Sequence, residues 1–83
     1  MSEDTETRLK RLRMRAWRRG MKETDLLLGQ FADRALSELN ASDLDSFERL
    51  LAKNDQDILA WATGASEPPR EFEALITQIL ENR

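Results

Sequence analysis

Apolar residues recur every three or four positions along most of the chain, and no stretch alternates in the period of a strand. The clearest run is Phe72, Leu75, Ile76, Ile79 and Leu80, the i, i+3, i+4, i+7, i+8 stripe of a helix burying one face. Pro68 and Pro69 stand ahead of it, where a fixed φ suits a first turn. Four more helices are predicted. The first runs from about Thr5 to Arg19, capped by Asp4 or Thr5, with a thin stripe of Leu9, Leu12 and Ala16 and Trp17 at its margin. The second runs from about Lys22 to Leu39, where Leu28, Phe31, Ala32, Ala35 and Leu39 share a face, Leu27 and Leu36 widen it, and Asn40 terminates it.

Ser42 and Asp45 resemble a capping box that opens a third helix ending near Lys53, with Leu44, Phe47, Leu50 and Leu51 turned inward. Asp55 is the expected cap of a short fourth helix carrying Ile58, Leu59, Trp61 and Ala62, and Gly64 stops it. Short connections between such helices favour close packing of neighbours. The predicted fold is all-α, a compact five-helix bundle forming a single domain over residues 1–83, with about 1–7 as a flexible N-terminus.

Length limits the chain to one modest core, without room for a catalytic lobe. It has neither Cys nor His, which excludes disulfides, zinc fingers, haem attachment and imidazole bases. No apolar run approaches the roughly 20 residues that cross a bilayer, so membrane insertion is not expected. Met1 to Glu6 carries three acids and no apolar core, unlike a secretory or mitochondrial leader. A cytoplasmic, bacterial-type protein is the expectation.

Net charge is −3, but eight of the 13 basic residues lie between Arg8 and Lys22, where there is no acid, leaving −11 for the remainder. Arg8, Arg11, Arg15, Arg18 and Lys22 recur at helical spacing, so they read as one cationic face. Three roles suit it: a solvated surface, a docking face for an acidic protein, or a phosphate-tracking stripe. A sequence pI of about 4.9 and the absence of a helix-turn-helix signature weigh against nucleic acid. The pairs Asp43/Asp45 and Asp55/Asp57 stand at helix starts, where capping explains them better than a metal or an acid–base dyad. Trp61 reads as core, whereas Trp17 is either packed or displayed as an interface anchor.

The segment Trp17-Arg18-Arg19-Gly20-Met21-Lys22-Glu23 is a basic helix end that breaks at glycine and restarts on an acid. Extended through Thr24-Asp25-Leu26-Leu27-Leu28-Gly29, it resembles the SdhE-type succinate dehydrogenase assembly factors, which carry an R-G-x-x-E motif before an apolar run. The likeness continues through Phe31-Ala32, Phe47-Glu48-x-Leu50-Leu51, Asp55-x-Asp57-Ile58-x-x-Trp61-Ala62-Thr63-Gly64 and the proline-led last helix, covering roughly Arg8 to Leu80. Thr24 departs from it, many members having an apolar residue there.

The resemblance implies a five-helix, non-enzymatic factor that promotes covalent attachment of FAD to the flavoprotein subunit of succinate dehydrogenase, with related fumarate reductase flavoproteins as a second client. It implies that a client histidine and the flavin supply the reacting atoms, and that no cofactor is stably bound by the factor. The motif residues map onto Arg19, Gly20 and Glu23. Arg19 is expected to bond a client carboxylate or carbonyl, and Gly20 to permit close backbone approach. Glu23 is expected to accept from client donors or to hold Arg19. Arg15, Trp17, Arg18, Met21 and Lys22 complete the expected partner surface. The alternative is a small nucleic-acid-binding or antitoxin-like regulatory protein using the basic helix.

Overall fold

All five predicted helices form, and each turns part of its apolar stripe inward. The structure, a computed structural model, describes residues 3–81. It contains α1 (Thr5–Trp17), α2 (Lys22–Ala35), α3 (Ala41–Leu51), α4 (Asp55–Thr63) and α5 (Arg70–Glu81), with a 3-10 turn at Leu36–Glu38. No strand occurs among the described residues. Of the stretch 1–7, Met1 and Ser2 lie outside the described residues, while Asp4 caps α1 by accepting from the Thr7 amide at 2.7 Å.

The core is built from Leu28, Phe31, Ala32 and Leu36, from Leu44, Phe47, Leu50 and Leu51 of α3, and from Phe72, Leu75, Ile76 and Ile79 of α5. The rings of Phe31 and Phe47 meet at 5.7 Å between centroids. From α1 only Leu12 and Ala16 are buried, with Leu9 partly so, which matches its thin stripe. From α4 only Ile58 is buried, and half-buried Trp61 lies 5.9 Å from Phe72. One buried aliphatic side chain contributes about 1.5–3 kcal/mol, so apolar contact alone holds α4 weakly.

Several boundaries differ from the expectation, each for a local reason. The first helix stops at Trp17 rather than Arg19, because Arg18 leaves helical geometry at φ −121°, ψ 52°. The second stops at Ala35 and tightens into the 3-10 turn rather than reaching Leu39. Ala35 leaves helical geometry there, at φ −126°, ψ −12°. Asn40 does not terminate α2 but caps α3, its extended backbone letting its side chain accept from the Asp43 amide at 2.8 Å. Ser42 and Asp45 therefore fall inside α3 and form no capping box, and α3 ends at Leu51 rather than Lys53. Asn54, not Asp55, caps α4 by accepting from the Asp57 amide at 2.8 Å. Gly64 ends α4 as expected, at φ +85°.

α1 packs chiefly against α2, and the contact depends on a missing side chain. Gly29 lies beneath the Trp17 indole, and a Cβ there would come within 3 Å of three ring carbons. The ring lies flush on α2, and its Nε1 donates to the Asp33 carboxylate at 3.2 Å. Alanine at Gly29 would gain about 1 kcal/mol in helix propensity, but displacing an indole costs about 1–3 kcal/mol. Gly29→Ala is thus expected to lower the melting temperature. In a Trp61→Phe background, where Trp17 is the sole indole, it is expected to red-shift tryptophan emission. An unchanged spectrum and melting point would contradict this packing.

Candidate partner-binding corner

The corner between α1 and α2 is formed by a short linker whose sharpest point is Gly20, at φ +109°. Residues with a Cβ rarely adopt that conformation. The space around Gly20 is open, with nothing within 4 Å of where a Cβ would stand. The requirement for glycine is therefore conformational, and the backbone there is accessible.

Arg19, next to it, points the other way. Its side chain is only 9% exposed and reaches across to the α3–α4 connection. Nε donates to Asp55 Oδ1 at 2.6 Å, Nη1 to the Leu51 carbonyl at 2.7 Å, and Nη2 to the Lys53 carbonyl. The Leu51 carbonyl belongs to the end of α3, where unpaired C=O groups carry partial negative charge, and the Lys53 carbonyl to the connection just beyond it. Asp55 opens α4, where a carboxylate is favoured for the opposite reason. One planar cation thus joins the negative end of one helix to the acid at the start of the next, a geometry that suits guanidinium better than ammonium.

Two further groups complete the lock. The Arg19 amide donates to Asp25 Oδ1 at 2.7 Å. The hydroxyl of Thr24, fully buried, lies 2.9 Å from Asp55 Oδ1 and 3.2 Å from the Met21 carbonyl. It has one proton, and the nearer, charged acceptor is the stronger partner. Sequence reasoning missed Thr24, Asp25, Asp55 and Gly29 as determinants of this corner. The signals were present: a threonine at the head of an apolar run, and a glycine inside an apolar helix.

The R-G-x-x-E residues therefore separate in space. Arg19 is committed inward, whereas Gly20 and Glu23 are exposed. No hydrogen bond or ion pair engages Glu23 among the described residues, so Asp25 and Asp55 hold Arg19 and Glu23 does not. Arg18 and Lys22 are exposed beside the bend, and Met21 is half-buried as the N-cap residue of α2. Trp17 is half-buried against Gly29, which resolves the two readings of that ring in favour of packing with part of its surface open.

The cationic face is shorter than its spacing suggested, because α1 ends before Arg18. Its first three arginines face acids. Arg8 reaches Asp45 at 2.7 Å and Glu48 at 2.9 Å. Arg11 reaches Glu3 at 2.8 Å and Glu48 at 3.0 Å, and Arg15 lies 4.0 Å from Glu48. Hydrogen bonds to Asp45 and Glu48 raise the pKa of Arg8, and those to Glu3 and Glu48 raise that of Arg11. For Glu48, partial burial opposes ionisation, but the hydrogen bonds and charges of Arg8 and Arg11 outweigh it and hold the carboxyl below its ordinary range. Acids thus occupy the positions that a phosphate backbone would need. Among the described residues no cluster of acids has metal-binding geometry, and no helix is long and apolar enough to cross a membrane.

Residues 10–83 match the family described as "Flavinator of succinate dehydrogenase". The chain belongs to that family. It is 40% identical over 81 residues to the mitochondrial succinate dehydrogenase assembly factor 2-B of Drosophila mojavensis, covering 95% of this chain and 52% of that protein. The mitochondrial succinate dehydrogenase assembly factor 2 of Mycosarcoma maydis is 47% identical over 71 residues, covering 86% and 30%. That of Aspergillus flavus is 45% identical over 69 residues, covering 83% and 23%. The chain spans about half the length of the fly relative and less of the fungal ones. These eukaryotic, mitochondrial names overturn the cytoplasmic, bacterial-type placement expected from the acidic start of the chain. An acid-rich opening describes only the residues it contains, and these relatives are much longer.

Two measurements check the electrostatics. Arg19→Ala leaves Asp55 and two carbonyls without their cation and is expected to cost about 3 kcal/mol in urea unfolding. Arg19→Lys should recover little of that, and Arg18→Ala should stay within about 0.5 kcal/mol of wild type. Equal effects at Arg18 and Arg19 would contradict the network. The depressed pKa of Glu48 means its contribution is complete above the ordinary glutamate range and is lost as pH falls through the folded-state value. Unfolding free energy measured from neutral to acid pH should therefore fall less steeply in Glu48→Gln than in wild type.

Proposed function

We propose that this chain binds the flavoprotein subunit of succinate dehydrogenase and promotes covalent attachment of FAD to it, as an assembly factor and not as an enzyme. Membership of the flavinator family across residues 10–83 carries this reading. The chemistry of the chain supports it. With neither His nor Cys, it is poorly equipped to act as the nucleophile, so the reacting histidine and flavin both belong to the client. The factor's contribution is to favour the client conformation in which those two groups meet. Orientation of this kind can lower a barrier by several kcal/mol, on the order of 7–11 in the best cases.

The exposed side of the corner is the part that touches the client. Gly20 admits a second backbone close to its own, and Glu23 accepts hydrogen bonds from client donors. Arg19 acts from behind, setting the corner's shape through Asp55 and the end of α3. Fumarate reductase flavoproteins are a second client class under this proposal, and FAD is met only as part of the client.

The test separates backbone strain from binding. Gly20→Ala forces a Cβ into positive φ and is expected to cost about 1–3 kcal/mol in stability while complex formation survives. Gly20→Arg and Glu23→Ala are expected to keep their helical circular dichroism yet lose co-purification with the flavoprotein and in-gel fluorescence of protein-linked flavin. Normal covalent flavin in cells lacking this chain would sink the proposal.

A further inference from the structure

Glu23 does more than mark the bend. It stands at the rim of a groove of about 350 Å³ between α2, the end of α4 and the end of α5. Leu26, Leu59, Ala62 and Leu80 line its walls. Leu26 is 40% exposed, one of two large apolar side chains so exposed among the described residues. Among the described residues the lining includes no Lys or Arg, and its one charge is Glu23. The groove is at the small end of ligand pockets, which run roughly 300–1,000 Å³; that is room for a side chain or two and not for a dinucleotide.

We propose that this groove receives an apolar side chain from a segment of the client flavoprotein that carries a Lys or Arg beside it, with Glu23 pairing that cation. The inference rests on the function proposed above and extends the docking surface from the bend onto the α2–α4–α5 face. Charge decides the occupant. A partner covering the groove removes water from Glu23, and a carboxylate buried without a counter-charge is strongly unfavourable. The covering surface must therefore bring a cation along with its apolar group. A second copy docked by a two-fold axis would instead bring a second Glu23 and no base from the described groove lining. A flavin pyrophosphate would bring like charge to a site whose described lining holds no cation.

The experiment measures the affinity of the full chain for purified apo-flavoprotein at several salt concentrations, beside sedimentation of the factor alone. Leu26→Asn, at an exposed helical position, should keep its circular dichroism and bind roughly tenfold more weakly, with the wild-type salt dependence. Glu23→Gln should also bind roughly tenfold more weakly, but with a flatter salt dependence, since the ion pair is gone. Wild-type affinity in Leu26→Asn overturns the groove as a docking site. An unchanged salt dependence in Glu23→Gln overturns the paired cation. A dimer of the factor that Leu26→Asn abolishes, with client affinity intact, assigns the groove to self-association and overturns the proposal. Failure of the wild-type chain to bind the flavoprotein removes the underlying function as well, and so is distinct from failure of the variants alone.

Discussion

One guanidinium organises the half of this molecule that its apolar core holds least well. α4 buries a single aliphatic residue, Ile58, and the linker at Gly20 adds no buried apolar side chain to the core. Arg19 joins these two weakly held parts by satisfying carbonyls at and just beyond the end of α3 and the carboxylate that opens α4. The side chain is nearly inaccessible, so its hydrogen bonds compete little with water. A domain of this size has only a few kcal/mol of net stability. Removing Arg19, at a cost of about 3 kcal/mol, would then consume a large share of the whole.

Under the proposed docking, that arrangement gives the R-G-x-x-E sequence a division of labour. A flexible arginine displayed to solvent would lose rotamer freedom each time it gripped a partner, about 2 kcal/mol for a long cationic side chain. Turned inward, Arg19 instead fixes the backbone that displays Gly20 and Glu23, and the ordering is done at folding rather than at binding. Thr24 and Asp25 belong to the same device, since their side chains hold Asp55 and the Arg19 amide respectively. The acidic surface of α3 has a comparable effect on α1. Glu48 gathers Arg8, Arg11 and Arg15, so the cationic helix is joined to the bundle by charge where its apolar stripe is thin. Arg18, Lys22 and Glu23 are the charged groups left exposed around the bend.

Much of the fold was legible in the chain itself. Periodicity at 3.6 residues locates all five helices, and the stripes of α3 and α5 name their buried residues, with Leu80 of α5 only half-buried, because those helices bury one continuous face. The family was legible too, through a motif and its flanking apolar run. Helix ends were less so. Asn40 and Asn54 are poor markers taken singly, since the same residue suits a helix stop and a helix start, and only the next turn decides which amide its side chain accepts. Compartment was misread, because the relatives named mitochondrial extend well beyond the residues from which it was inferred.

What the sequence determines alone is therefore local: which stretches are helical, which face of each is apolar, and that a glycine bend follows a basic helix. What only the tertiary structure decides is the direction of each polar side chain. Arg18 and Arg19 are identical in composition and adjacent in the chain, yet one is exposed and the other nearly buried. The difference arises because the acceptors of Arg19, at Leu51, Lys53 and Asp55, lie more than thirty positions away. Helical periodicity extends over a few residues, whereas hydrogen bonds between distant segments exist only after the core has brought those segments together.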